Sequence, residues 1–143
     1  MPHLAYIALV VRDYDEALAF YVGKLGFELA EDTHQLEQDK RWVTIRPPGA
    51  AANATTILLA RATTDRQQTR IGDQTGGRVA LFLATDDFAR DHARFTAAGV
   101  IWVRPPADQP DGRVLVWRDL YGNLWDLIEY APGHPNAGCR LDN

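Results

Sequence analysis

The feature that most constrains this chain is a repeat. Asp13 and Gly26 lie thirteen positions apart, and so do Asp86 and Gly99, so the second pair copies the first at an offset of 73. Ahead of each aspartate runs an apolar segment, LAYIALVV at 4–11 and RVALFLA at 78–84. The first is apolar on both alternating faces, as a strand covered on both sides must be. Asp13 followed by Glu16 forms a capping-box pattern. Tyr14, Ala17, Leu18, Tyr21 and Leu25 then recur at helical spacing up to Gly26. In the second half the expected cap is Asp86, the stripe Phe88, His92 and Phe95, and the stop Gly99.

Three strand candidates follow each helix. In the first half they lie near Phe27 to Glu31, at RWVTIRP and at TTILLA; in the second they are VIWVRP, RVLVWRD and LWDLIEY. The prediction is an α+β fold of two β-α-β-β-β modules. Module one covers about 4–62, a polar Gly-rich linker 63–77, module two 78–131, and a tail 132–143. A repeated element order outranks any single motif as evidence about fold. Two curved mixed sheets with helices on the outer face would leave a concave, apolar-lined cleft, the default place for a ligand.

Composition narrows the function classes. The net charge of −4, with scattered basic residues and lysine only at 24 and 40, argues against a nucleic-acid face. With 46% hydrophobic and 24% charged residues the chain has the make-up of a soluble globular domain. No apolar run approaches membrane-spanning length and no leader pattern opens the chain, so no membrane partner is expected. Cys139 is the only cysteine, which rules out a disulfide framework and suits a cytoplasmic setting.

The candidate chemistry centres on Asp126, a carboxylate inside the apolar run LWDLIEY. Alternation puts Leu124, Asp126 and Ile128 on one face and Trp125, Leu127 and Glu129 on the other. A carboxylate among apolar walls is expected to have a raised pKa or a cationic partner. The histidines offer little help. His3 is near the terminus, His34 in the polar stretch EDTHQLEQDK, His92 on the apolar stripe of the second helix, and His134 in the Pro- and Gly-containing tail. No two of them have metal-ligand spacing.

The repeat, together with VVRDYDEALAFYVGKLGFEL at 10–29 and WRDLYGNLWDL at 117–127, resembles the vicinal oxygen chelate superfamily. That group includes glyoxalase I, bleomycin-resistance proteins, fosfomycin-resistance thiol transferases and extradiol dioxygenases. The resemblance spans about residues 4 to 131. It implies the two-module fold, but the fold hosts several chemistries. Enzymes of the group hold a divalent metal through two His and a Glu, leaving a position open to substrate. Carried over residue by residue, the first His position falls on Tyr6. The second falls on Arg78, or on Val79 or Ala80 if the register slips, and the Glu position falls on Asp126.

One carboxylate and a phenol make a poor metal site, and Arg78 would pair with Asp126 or attract an anion. The expectation is therefore a glyoxalase/bleomycin-resistance/dioxygenase family protein that binds a small organic ligand without the usual metal and without a cofactor. Tyr6, Arg78, Asp126, Trp42, Trp117 and Tyr121 are its candidate contacts, with the aromatics stacking on a planar ligand. The alternative is a divalent-metal-dependent lyase, dioxygenase or thiol transferase built on Asp126. The resemblance also implies a homodimer.

Overall fold

A computed structural model describes residues 1–137; Cys139 lies outside the described residues. The chain divides into two compact units, one covering Met1–Gln74 and a second from Thr75 onward. Each holds a four-stranded mixed sheet, and the strand orders match, β1-β4-β3-β2 and β5-β8-β7-β6.

The first unit runs β1 (Tyr6–Val11), α1 (Tyr14–Leu18), β2 (Glu28–Gln35), β3 (Lys40–Arg46) and β4 (Thr56–Arg61). Its β1-β4 pair, at one edge of the sheet, is parallel, and β4-β3-β2 is antiparallel. Leu9, Val11, Val43, Ile45, Ile57 and Leu59 are buried with Ala17, Phe20, Tyr21 and Leu25. One face of the sheet therefore lies against the helix and the other is open. A second short helix, α2 (Asp65–Gln68), occupies the stretch expected to be a plain linker. Beyond it, the Gln74 amide docks on the free edge of β1: Val10 N donates to its Oε1 (2.9 Å), and its Nε2 donates to Ala8 O (2.7 Å). This occupies backbone groups that an edge strand otherwise leaves open.

The second unit runs β5 (Val79–Ala84), α3 (Phe88–Ala97), β6 (Ile101–Gln109), β7 (Gly112–Arg118) and β8 (Leu124–Tyr130). Its core is aromatic. Trp117 stacks on Trp125 at 4.9 Å and meets Phe95 edge-on at 5.4 Å. Among the described residues no helix is long and apolar enough to cross a membrane.

Two details correct the sequence reading. The cap of α3 is Asp87, whose side chain accepts from Arg90 N, while Asp86 forms an ion pair with Arg90 at 2.8 Å. In the first unit Asp13 is the cap, as expected, accepting from Glu16 N at 2.8 Å. The caps are thus one residue out of step with the terminating glycines, Gly26 (φ 75°) and Gly99 (φ 81°). The first helix absorbs its extra residue by widening. After α1, Ala19–Lys24 wind as a π-helix, the usual result of one residue inserted into an α-helix. The closing bonds show the same step: Phe27 N reaches Tyr21 O, six residues back, whereas Val100 N reaches Phe95 O, five back. The second correction is that β2 extends through His34, so that histidine is on a strand rather than in a loop.

Candidate functional site

The open face of the first sheet carries a row of four residues, one from each strand. Ala8 lies beside Leu58, Leu58 beside Thr44, and Thr44 beside Glu31. Strict alternation along β2 would put Glu31 on the helix face with Leu29. A bulge between Leu29 and Glu31 shifts the register by one, so Glu31 comes out opposite Thr44. There Glu31 Oε2 accepts from Thr44 Oγ1 (3.0 Å), Trp42 Nε1 (3.1 Å) and Tyr6 Oη (3.2 Å). Tyr6 and Trp42 pack edge to face, 5.4 Å between centroids. The donated hydrogen bonds, Trp42's foremost, hold the Glu31 carboxyl below its usual range. In return, the bond to Glu31 pushes the Tyr6 phenol up, so it holds its proton more tightly.

Two cavities open around this cluster. One, of about 320 Å³, includes His3, Tyr6, Glu31, Arg46, Asn53 and Thr56 in its lining. The other, of about 900 Å³, is walled by Trp42, Leu58, Ala60, Tyr14, Thr33 and Arg41 among others. Arg41 is held by Asp15 and Asp32, each at 2.8 Å.

The second sheet repeats the row with different chemistry. Phe82 lies beside Asp126, Asp126 beside Val116, and Val116 beside Arg104. Arg104 reaches the open face by the same device, a register shift after Trp102. Asp126 is half-buried and accepts no hydrogen bond among the described residues. Loss of water pushes its carboxyl up, and the Arg104 charge works against that shift. The expected cation was Arg78; it sits exposed just ahead of β5, and the charge that acts on Asp126 is Arg104's.

The remaining candidates fall into place by alternation. Trp117 shares the helix-side face of β7 with Leu115 and is fully buried, so it belongs to the core. Tyr121 is half-buried in the turn before β8, where its backbone N donates to Asp119 Oδ1 at 2.9 Å. Asp119 organises that turn: it also accepts from Asn123 N at 2.9 Å and Asn123 Nδ2 at 2.8 Å. The Gly-Asn motif is thereby a folding element, with Gly122 at φ 102° as its left-handed residue. His92 packs between Phe88 and Trp102, at 5.9 and 5.0 Å, and His134 stacks on Tyr130 at 4.4 Å.

The metal set of similar enzymes does not fit these residues. The places that correspond by register are Tyr6 and Leu58 in the first unit and Val79 and Asp126 in the second, the last pair of strands bulging at Ala80. Only Asp126 is a good donor for a divalent ion. Among the described residues, no three His, Cys, Asp or Glu side chains converge as a metal ion requires. Glu31 and Arg104 escaped the sequence reading because no residue type marks either bulge.

Comparison with known proteins bears on the whole chain. The family model described as Glyoxalase/Bleomycin resistance protein/Dioxygenase superfamily matches residues 3–127. An uncharacterised protein from Shewanella frigidimarina is 56% identical over 132 residues, covering 92% of this chain and 96% of its own. The crystal structure of UcmS2 superposes with a TM-score of 0.76 at 26% identity, covering 90% of this chain and 98% of the other. That of TnmS3, an antibiotic binding protein from Streptomyces sp. CB03234, superposes with a TM-score of 0.71 at 28% identity, covering 92% and 98%.

Proposed function

We propose, from the premise that the chain belongs to the glyoxalase/bleomycin resistance protein/dioxygenase superfamily, that it binds a small organic molecule without a metal. The observation that carries this reading is the cavity of about 900 Å³ on the first unit, walled by Trp42, Leu58 and Tyr14. A volume of several hundred Å³ with an aromatic wall and a few polar groups is what a drug-sized ligand requires. The likeness to an antibiotic binding protein supports the reading. In it Trp42 offers its ring, Tyr6 and its hydrogen-bonded carboxylate the polar contacts, and Asp126 a second, separate polar position on the other unit.

Saturable binding of a neutral aromatic probe, N-phenyl-1-naphthylamine, tests this. One site per chain in the native protein, lost in a Trp42→Ala variant that still melts cooperatively, is the expected result. Binding that ignores Trp42 would overturn the reading. The proposal includes a cytoplasmic homodimer, to be checked by light scattering and cell fractionation.

One observation favours a second reading. Asp126 keeps a carboxylate where the family's enzymes carry their Glu, so a metal-dependent lyase, dioxygenase or thiol transferase would be built on it. Elemental analysis of chain purified without chelator, with melts in nickel, zinc, manganese and iron(II), separates the two. Stoichiometric metal, or a melting shift abolished by Asp126→Ala, would replace the first reading with the second.

A further inference from the structure

Glu31 is set up unlike the carboxylates around it. Glu28 is paired with Arg46 at 2.8 Å, Asp15 and Asp32 with Arg41 at 2.8 Å, and Glu16 with Arg12 at 2.7 Å. Glu31 alone in this group has only neutral partners, the phenol of Tyr6, the indole of Trp42 and the hydroxyl of Thr44. Neutral donors fix a carboxylate in place and favour its ionised form, but they leave its charge uncompensated. All three donors engage Oε2, so Oε1 accepts no hydrogen bond among the described residues.

We infer that Glu31 Oε1 is the acceptor for a protonated amine on the ligand. This rests on the ligand-binding reading above and adds the ligand's class. The cluster joins, through hydrogen bonds, residues that line two cavities of the first unit. Tyr6 and Glu31 line the smaller one, and Trp42, bonded to the same oxygen, lines the larger. A molecule with an apolar or planar body against Trp42 and Leu58, and a primary or secondary ammonium turned toward Glu31, matches both. The π-faces of Tyr6 and Trp42 add favourable ground for a cation. At the smaller cavity an anion is disfavoured, because Arg46 there is already bonded to Glu28; Lys40, Arg41 and Arg61 line the larger cavity, whose lining does not include Glu31.

Three probes with one ring system test the charge directly: tryptamine (cationic), tryptophol (neutral) and indole-3-acetate (anionic). Binding is followed on the Trp42 indole N–H in ¹⁵N–¹H spectra, assigned with Trp42→Phe. Tryptamine is expected to bind about tenfold tighter than tryptophol, because an ion-ion hydrogen bond is stronger than a neutral one, and indole-3-acetate weakest. In Glu31→Gln, whose amide oxygen can still accept from Trp42 and Thr44, tryptamine and tryptophol should bind alike. In the unmutated protein, raising salt from about 50 to about 500 mM should weaken tryptamine and leave tryptophol unchanged. Equal binding of the two, or a preference that survives Glu31→Gln, would overturn the amine inference and leave the small-molecule reading standing. No saturable shift with any of the three would overturn both.

Discussion

The two units spend one carboxylate each on equivalent rows, and the environments are opposite. In the first, Ala8, Leu58, Thr44 and Glu31 cross the open face, with the acid on the outermost strand β2. In the second, Phe82, Asp126, Val116 and Arg104 cross it, with the acid on the interior strand β8. Glu31 is ringed by three donors and its carboxyl is pulled down. Asp126 lies between Phe82 and Val116, accepts no hydrogen bond, and is pushed up by lost solvent. The same functional group on the same fold is thus held ready as a charge in one place and discouraged from charging in the other. Neighbours, not residue type, decide which.

The comparison can be broken most forcefully at the cores. Trp117 fills the helix side of β7, where the first unit has Ile45 on β3. Trp117→Ala should cost about 3–5 kcal/mol and Ile45→Val only about 0.5–1.5 kcal/mol, both read from urea unfolding. Near-equal costs would mean that the aromatic stack adds no more to the fold than a single buried methyl group does. Next, Asp87→Ala should cost about 1 kcal/mol by removing the α3 cap, while Asp86→Ala should change the melting point little. The reverse ranking would restore the cap to Asp86 and remove the one-residue mismatch between the helices. A similar size is expected at Gly23, inside the π-helical segment, where a Cβ would meet nothing within 4 Å. Gly23→Ala should stabilise by roughly 0.5–1 kcal/mol.

The smallest effects are the most diagnostic, because their signs differ. A carboxyl lowered by folding contributes stability above its unfolded pKa, and that stability is lost as pH falls through the folded value. Glu31→Gln should therefore weaken the protein at neutral pH and match the parent in acid. For Asp126 the raised folded value reverses this: ionisation costs stability at neutral pH, and the cost vanishes below the ordinary aspartate range. Asp126→Asn should keep the fold and melt at or above the parent at pH 7, with the difference fading on acidification. Loss of cooperative melting in that variant would make Asp126 a structural residue.

How much of this was legible in the sequence follows from which regularities hold. The repeat gave the element order, because LAYIALVV and RVALFLA with their following caps and glycines are local signals. LWDLIEY alternates strictly, so the face of Asp126 could be read by counting. Counting failed where the backbone inserts a residue. By period two, Glu31 goes with Leu29 and Arg104 with Trp102, on the helix side. The bulges reverse both, and neither Ala30 nor Val103 advertises one. The Asp86 and Asp87 ambiguity has the same origin, since anchoring on the glycines hides the residue that the π-helix takes up. Trp117 is ambiguous in the sequence, because a tryptophan at a strand position reads equally as core or as ligand platform until its face is fixed.

The most direct test of the contrast between the units is a ¹³C-carboxyl titration of Glu31 and Asp126 in the native protein. The account predicts that Glu31 titrates below, and Asp126 above, the ordinary range for its side chain. Both groups titrating at ordinary values, or in the opposite order, would contradict it.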